Sequence, residues 1–141
     1  MTDIDPTGRV RSATHAAFEE ATAHGHDYVG TEHILLGLSR DPAVAATLQA
    51  LGVSAADLRA GVERAVRPGH AKPAGELPYT SRSKRVFELA LAEARQDGNA
   101  AMTPEYLLLG LLREDRCIAC EILNQLGVTE EKVRSAGTAG G

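Results

Sequence analysis

The stretch Thr31-Glu32-His33-Ile34-Leu35-Leu36-Gly37-Leu38 decides the fold, because it returns later in the chain. At a shift of 73 residues, Glu32 falls on Glu105, and Leu35-Leu36-Gly37-Leu38 falls on Leu108-Leu109-Gly110-Leu111. Working outward at the same shift, Thr7 meets Thr80, Arg9 meets Arg82, Ala17 meets Ala90, Glu20-Ala21 meets Glu93-Ala94 and Gly25 meets Gly98. Further along the shift becomes 75, and Leu48 meets Leu123 while Leu51-Gly52-Val53 meets Leu126-Gly127-Val128. A register held over this length identifies an internal tandem duplication. Between the copies lies Arg67-Pro68-Gly69-His70-Ala71-Lys72-Pro73-Ala74-Gly75-Glu76-Leu77-Pro78, whose Pro and Gly content cannot continue a helix. The organisation read from this is one repeat over 7–66, a linker over 67–78, a second repeat over 79–135 and a small, Gly-rich flexible tail over 136–141.

Each copy reads as four helices. Val86, Leu89, Ala90, Glu93 and Ala94 recur at helical spacing before a stop at Gly98, and the counterpart over 9–23 ends at Gly25. The second helices start at Gly30-Thr31-Glu32 and at Thr103-Pro104-Glu105, where Thr caps and Pro occupies the first turn. The third helices span about 43–51 and 117–126 and end at Leu-Gly-Val, with the Gly in the left-handed position that closes a helix. Ser54-Ala55-Ala56-Asp57 opens the fourth helix as a relative of the capping box, and Thr129-Glu130-Glu131 opens its counterpart. Glu19-Glu20 and Glu130-Glu131 read as solvated faces.

Composition agrees. The 141 residues are rich in Ala and Leu, with no Trp, two Phe and three Tyr, which favours an all-α domain over a sheet protein. A net charge of −4 speaks against a nucleic-acid partner, because phosphate neutralisation needs a surplus of Lys and Arg. No apolar run is long enough to cross a bilayer, and Met1-Thr2-Asp3-Ile4-Asp5-Pro6 lacks the regions of a signal peptide, so a cytoplasmic domain without membrane contact is expected. Apolar faces satisfied within one chain make a monomer the default.

The longer string His26-Asp27-Tyr28-Val29-Gly30-Thr31-Glu32-His33-Ile34-Leu35-Leu36-Gly37-Leu38 resembles the repeat signature of the N-terminal domain of Clp AAA+ unfoldases, closest to the ClpC type. Glu19-Glu20-Ala21, the Leu-Gly-Val segments, Pro78-Tyr79-Thr80 and Val86-Phe87-Glu88-Leu89 fit the same pattern, and the resemblance covers about residues 7–135. It implies an eight-helix, pseudo-twofold, non-catalytic domain that sits above an ATPase ring and receives protein substrates or adaptors. Acting in cis, it would feed the ring. Acting in trans as a free-standing protein, it would be a decoy or an adaptor. In the ClpC branch some of these domains recognise phosphorylated arginine at two related sites, whose carboxylates map onto Glu32 and Glu105, with Thr31 and Thr103 beside them.

That mapping has a physical rationale. A helix N-terminus offers unpaired N–H groups to a phosphate, and a first-turn carboxylate can pair with the attached guanidinium. The plainer account is that first-turn Glu residues complement the helix dipole. The second copy departs from the pattern, reading Ala100-Ala101-Met102-Thr103-Pro104-Glu105-Tyr106. The N-terminus departs too, carrying no Phe over 2–6 where the ClpC pattern has two. Tyr79 and Lys84 mark a candidate adaptor surface, Tyr79 serving equally well as a packing residue at the linker exit, and the Arg82, Lys84 and Arg85 cluster suits an acidic partner.

Other constellations have bland readings. Cys117-Ile118-Ala119-Cys120 is a CxxC at a helix start, a dithiol redox candidate, but no thioredoxin-like strand precedes it and free Cys packs as a small hydrophobe. His24, His26 and His33 match no strong zinc spacing, so no metal site is assigned. No nucleophile elbow and no Walker A sequence occurs, and neither catalysis nor a cofactor is expected.

Overall fold

The structure, a computed structural model, describes residues 5–6, 8–72, 75–99 and 101–140. Among these, eight helices follow one another as two sets of four: α1 (Gly8–Ala23), α2 (Thr31–Leu38), α3 (Pro42–Ala50) and α4 (Ala55–Ala65), then α5 (Ser81–Gln96), α6 (Pro104–Arg113), α7 (Ile118–Gln125) and α8 (Glu130–Gly140). The all-α class and the start of every helix follow the sequence reading within a residue or two. One difference lies at the C-terminal end, where α8 runs to Gly140, past Ala136 where the tail was expected to begin. A second is a minimal parallel pair, β1 (Asp5–Pro6) with β2 (Ala101–Met102). These two-residue strands are the extended entries to helices, too short to carry a periodicity signal.

The entries expose the symmetry of the molecule. Pro6 lies opposite Met102, and Val29 lies opposite Tyr79 in an isolated parallel bridge. Adding 73 to Pro6 and Val29 gives Tyr79 and Met102, so the two pairings are the same contact with the halves exchanged. The Val29 N–H donates to Pro78 O at 2.8 Å, and the Thr80 N–H donates to Val29 O at 3.1 Å. Buried Ser83 donates its hydroxyl to the same Val29 oxygen at 2.9 Å.

The core sits around α2 and α6. Every residue of α2 is buried, as is every residue of α6 except Glu105 and Arg113. Leu35, Leu36, Leu38, Leu107, Leu108 and Leu111 are almost wholly excluded from solvent, each such side chain contributing about 1.5–3 kcal/mol. Gly37 and Gly110 let the flanking helices approach. A Cβ on Gly37 would stand 2.4 Å from Ala13 O and 2.8 Å from Ala17 N of α1. A Cβ on Gly110 would stand 2.6 Å from Val86 O and 3.3 Å from Ala90 N of α5, again the same residues displaced by 73. Gly52 and Gly127 both have φ near +86°, the left-handed stop expected from the Leu-Gly-Val segments.

Glu20 corrects the reading of Glu19-Glu20 as a solvated face. Glu19 is exposed, but Glu20 is 3% exposed and is held by Arg40 at 2.7 Å and Arg59 at 2.9 Å. Burial pushes the Glu20 carboxyl up, and the hydrogen bonds from Arg59 and Arg40 outweigh it and hold the group below the ordinary range. The second half repeats the device: buried Glu93 takes Arg113 and, at 2.6 Å, Arg134. The linker is also tied down. Gly69 N–H donates to His24 O at 2.7 Å and Ala71 N–H to Gly25 O at 2.8 Å, which straps the segment after α4 across the α1–α2 turn.

Gly37→Ala is expected to lower stability by about 3 kcal/mol, because two backbones must separate to admit one methyl group. Gly52→Ala, whose Cβ would meet nothing within 4 Å, carries only the left-handed backbone cost, about 1–2 kcal/mol. Urea unfolding of the two variants checks the order, and equal losses would show that the helix crossing is not tightly set.

Candidate functional site

The tip of α2 begins at Gly30, an extended N-cap with φ −92° and ψ 174°. Thr31 turns inward, and its hydroxyl accepts the Ala119 N–H of α7 at 3.3 Å. Glu32, the carboxylate that the resemblance maps to a ligand site, is 3% exposed. Its carboxylate folds back over Gly30, where a Cβ would lie 2.3 Å from Oε1, and it accepts its own backbone N–H. The position that the N-terminal N–H groups of α2 offer to an anion is thus partly filled by the chain's own carboxylate. Burial pushes the Glu32 carboxyl up, and the backbone N–H and the imidazoles of His26 and His24 reverse this only in part. A cavity of about 220 Å³ lies over this tip, lined by Tyr28, Thr31, Glu32 and Thr80 and by the exposed Arg82 and Arg116. The sequence reading did not assign either arginine to the site. The repeat offered a cue for Arg82, which matches Arg9.

The tip of α6 is more open. Thr103 caps without a side-chain hydrogen bond, Pro104 fills the first turn, and the Glu105 side chain is 41% exposed. Arg9 reaches it from α1, donating from Nη2 to Oε2 at 2.7 Å, while its Nε and Nη2 also grip Asp41 at 3.0 and 2.8 Å. The Arg9 pairing holds the Asp41 carboxyl below its ordinary range. Beside Glu105 runs a cleft of about 730 Å³ that includes Thr47, Asp97, Asn99, Thr103, Tyr106 and Arg134. The Tyr106 hydroxyl donates to Asp97 at 2.9 Å, fixing one wall. The two candidate carboxylates therefore stand in unlike surroundings, one buried beneath a cavity and one exposed and already paired.

The histidines form a chain whose proton positions follow from geometry. The Gly30 N–H donates to His33 Nδ1 at 2.9 Å, so that nitrogen carries a lone pair and Nε2 carries the proton. His33 Nε2–H then donates to His26 Nδ1 at 2.9 Å, and His26 Nε2–H donates to Arg67 O at 2.8 Å. His26, Glu32 and His33 do bring ligand atoms within 4.8 Å of one another. A cation on His33 Nε2 would displace that proton while Nδ1 is already an acceptor, leaving an imidazolate. The geometry suits a neutral hydrogen-bonded chain that pins the linker, and it does not suit a metal site.

The cysteines are structural in the same sense. Cys117 caps α7, its sulfur accepting the Cys120 N–H at 3.3 Å, and the two thiols donate to Leu111 O and Leu112 O at 3.5 and 3.4 Å. Burial pushes both thiols up, the opposite of an activated thiolate. Tyr79 is half-buried between Phe18 and Phe87, with ring centroids 5.7 and 5.1 Å away, and Lys84 is exposed on α5. Of the stretch 2–6, which carries no Phe, residues 2–4 lie outside the described residues. No helix among the described residues is long and apolar enough to cross a membrane.

Comparison with known proteins gives a consistent picture. A family model described as the Clp repeat (R) N-terminal domain matches residues 5–100 and 79–139. The chloroplastic chaperone protein ClpC2 of Oryza sativa subsp. japonica is 44% identical over 121 residues, which is 84% of this chain and 13% of that protein. The chloroplastic chaperone protein ClpC1 of Arabidopsis thaliana is similar to the same extent. Among solved structures, the N-terminal domain of the caseinolytic protease associated chaperone ClpD from Arabidopsis thaliana is 27% identical with a TM-score of 0.75, covering 95% of each chain. The Hsp104 N-terminal domain from Candida albicans shares the fold at 16% identity, with a TM-score of 0.78 over 94% of this chain and 88% of that one. This chain spans about 13% of the length of the curated relatives named above.

The histidine chain gives stability a specific pH dependence. Burial, then the neighbouring His26 and His24, hold the His33 imidazole at about 4, against an ordinary value of 6.5. Between these values the unfolded chain binds more protons than the folded one, so the contribution is complete above 6.5 and is lost as pH falls toward 4. Relative to His33→Gln, the wild type is expected to lose about 2–3 kcal/mol between pH 7 and pH 4.5. The raised Glu32 carboxyl works in the opposite direction in both proteins and drops out of the difference. Parallel unfolding curves for the two proteins across that range would remove His33 as the source.

Proposed function

This chain belongs to the Clp repeat N-terminal domain family, and from that premise we propose that it is a non-catalytic protein-interaction domain, receiving protein substrates or adaptors for a Clp-type AAA+ ring. The ring is a partner in cis if it continues the same polypeptide. If it belongs to another chain, this domain acts in trans as an adaptor or a decoy.

The finer reading is recognition of segments carrying phosphorylated arginine. The observation that supports it is the charge arrangement at the α2 tip, where buried Glu32 and exposed Arg82 and Arg116 line one cavity. A ligand with a phosphate on a guanidinium needs cations for one end and a carboxylate for the other. As the ligand enters, Glu32 turns from Gly30 into the cavity and exchanges its own N–H for the ligand's guanidinium. The released Glu32 N–H at the start of α2 and the two arginines then face the phosphate. At the α6 tip, Glu105 offers the corresponding acid beside Thr103 in an open cleft. Tyr79 with Phe18 and Phe87 supplies a separate half-buried aromatic surface suited to an adaptor, and exposed Lys84 lies on α5, the helix that carries Phe87.

Titration with free phosphoarginine, followed residue by residue by NMR, tests this reading. Signals at 30–33 are expected to move saturably, and Glu32→Gln to weaken binding at that half by about tenfold or more while helicity by circular dichroism stays unchanged. Arg82→Gln and Arg116→Gln are expected to weaken it as well. If neither phosphoarginine nor a Clp adaptor binds at high micromolar concentration, the assignment fails.

A further inference from the structure

The two acidic tips differ in what already stands against them, and the duplication makes the difference legible. Adding 73 to Arg9 and Asp41 gives Arg82 and Glu114, and each arginine pairs with its acid, Arg82 Nη1 approaching Glu114 Oε1 at 3.5 Å. Only Arg9 goes on to donate to the first-turn carboxylate of the opposite half, Glu105, at 2.7 Å. Its counterpart Arg82 lines the cavity of Glu32, whose carboxylate is turned onto Gly30. A guanidinium of the chain itself therefore sits on the acceptor that a ligand's guanidinium would need at the α6 tip.

We propose that Arg9 is an internal competitor at the Glu105 tip, occupying the carboxylate that would hold the guanidinium of a phosphoarginine-type ligand and keeping the affinity of the second half below that of the first. This rests on the reading of the two tips as sites for a ligand carrying both a guanidinium and a phosphate. The anchor for Arg9 is firm: Asp41 is 8% exposed, takes a two-pronged grip from Arg9, and caps α3 by accepting the Val44 N–H at 3.1 Å. An arginine held in this way is already aimed at Glu105, so little ordering is needed for it to return. The competing pair is solvent-facing, at 44% and 41% exposure, which limits its strength. An exposed pair of this kind suppresses binding by roughly two- to fivefold.

The test is a titration of wild type and Arg9→Gln with free phosphoarginine, reading NMR signals at 30–33 and at 103–106 separately. In Arg9→Gln the second half is expected to bind roughly two- to fivefold more tightly, or to respond where it did not before, with the first half unchanged. In the wild type, the Arg9 Nη2–H signals, which report the bond to Glu105, are expected to shift in step with saturation of the second half. Second-half affinity that is unchanged or weaker in Arg9→Gln, with normal binding at the first half, overturns the proposal and leaves the proposed function standing. No response at either half in either protein overturns both. Thermal melting establishes that Arg9→Gln is folded. If it is not, the wild-type measurement decides, since Arg9 Nη2–H signals that stay fixed while the second half saturates overturn the competitor.

Discussion

The geometry of this molecule depends on two helix crossings at which no side chain fits. Gly37 against Ala13 and Ala17, and Gly110 against Val86 and Ala90, bring α2 and α6 into backbone contact with α1 and α5. At that separation the innermost leucines interdigitate, and each long helix carries a Glu to where arginines from the same half can close over it. Glu20 with Arg40 and Arg59, and Glu93 with Arg113 and Arg134, are consequences of the crossings as much as supports for them. The other ends of α2 and α6 are left as the acidic tips.

Much of this was legible in the residues. The Leu-Leu-Gly-Leu repeat revealed the duplication because a glycine in the middle of an apolar helix needs a packing reason, and the close crossing supplies it. The Leu-Gly-Val stops were equally plain, since a left-handed residue after a helix favours Gly. Glu20 was misread because its partners lie 20 and 39 residues away. Helical spacing shows which face a residue occupies, but it cannot show that distant arginines will cover that face. The match of Glu20-Ala21 with Glu93-Ala94 was the available cue, because a solvated face has little reason to repeat.

The tips were legible as positions and not as environments. Glu32 and Glu105 do fall in the first turns of α2 and α6, as read. Glu32 is buried with its carboxylate against Gly30, at a tip onto which α7 packs through Thr31 and Ala119, a contact between residues 88 apart. Glu105 stays open, and the arginine upon it comes from α1, 96 residues earlier. The histidine chain was hidden for the same reason: its far end is a linker carbonyl, Arg67 O, which carries no side-chain signature.

The exchanged entry strands have an evolutionary and a physical consequence. Pro6 with Met102 and Val29 with Tyr79 are each a contact between one half and the other, so neither half contains its own edge partner. Two separate copies of a single ancestral half would meet the same two requirements by associating around a true twofold axis. Joining them in one polypeptide turned a bimolecular encounter into an intramolecular one. The joined pair then became free to drift apart in sequence, so that one tip could be covered while its twin stayed in the open.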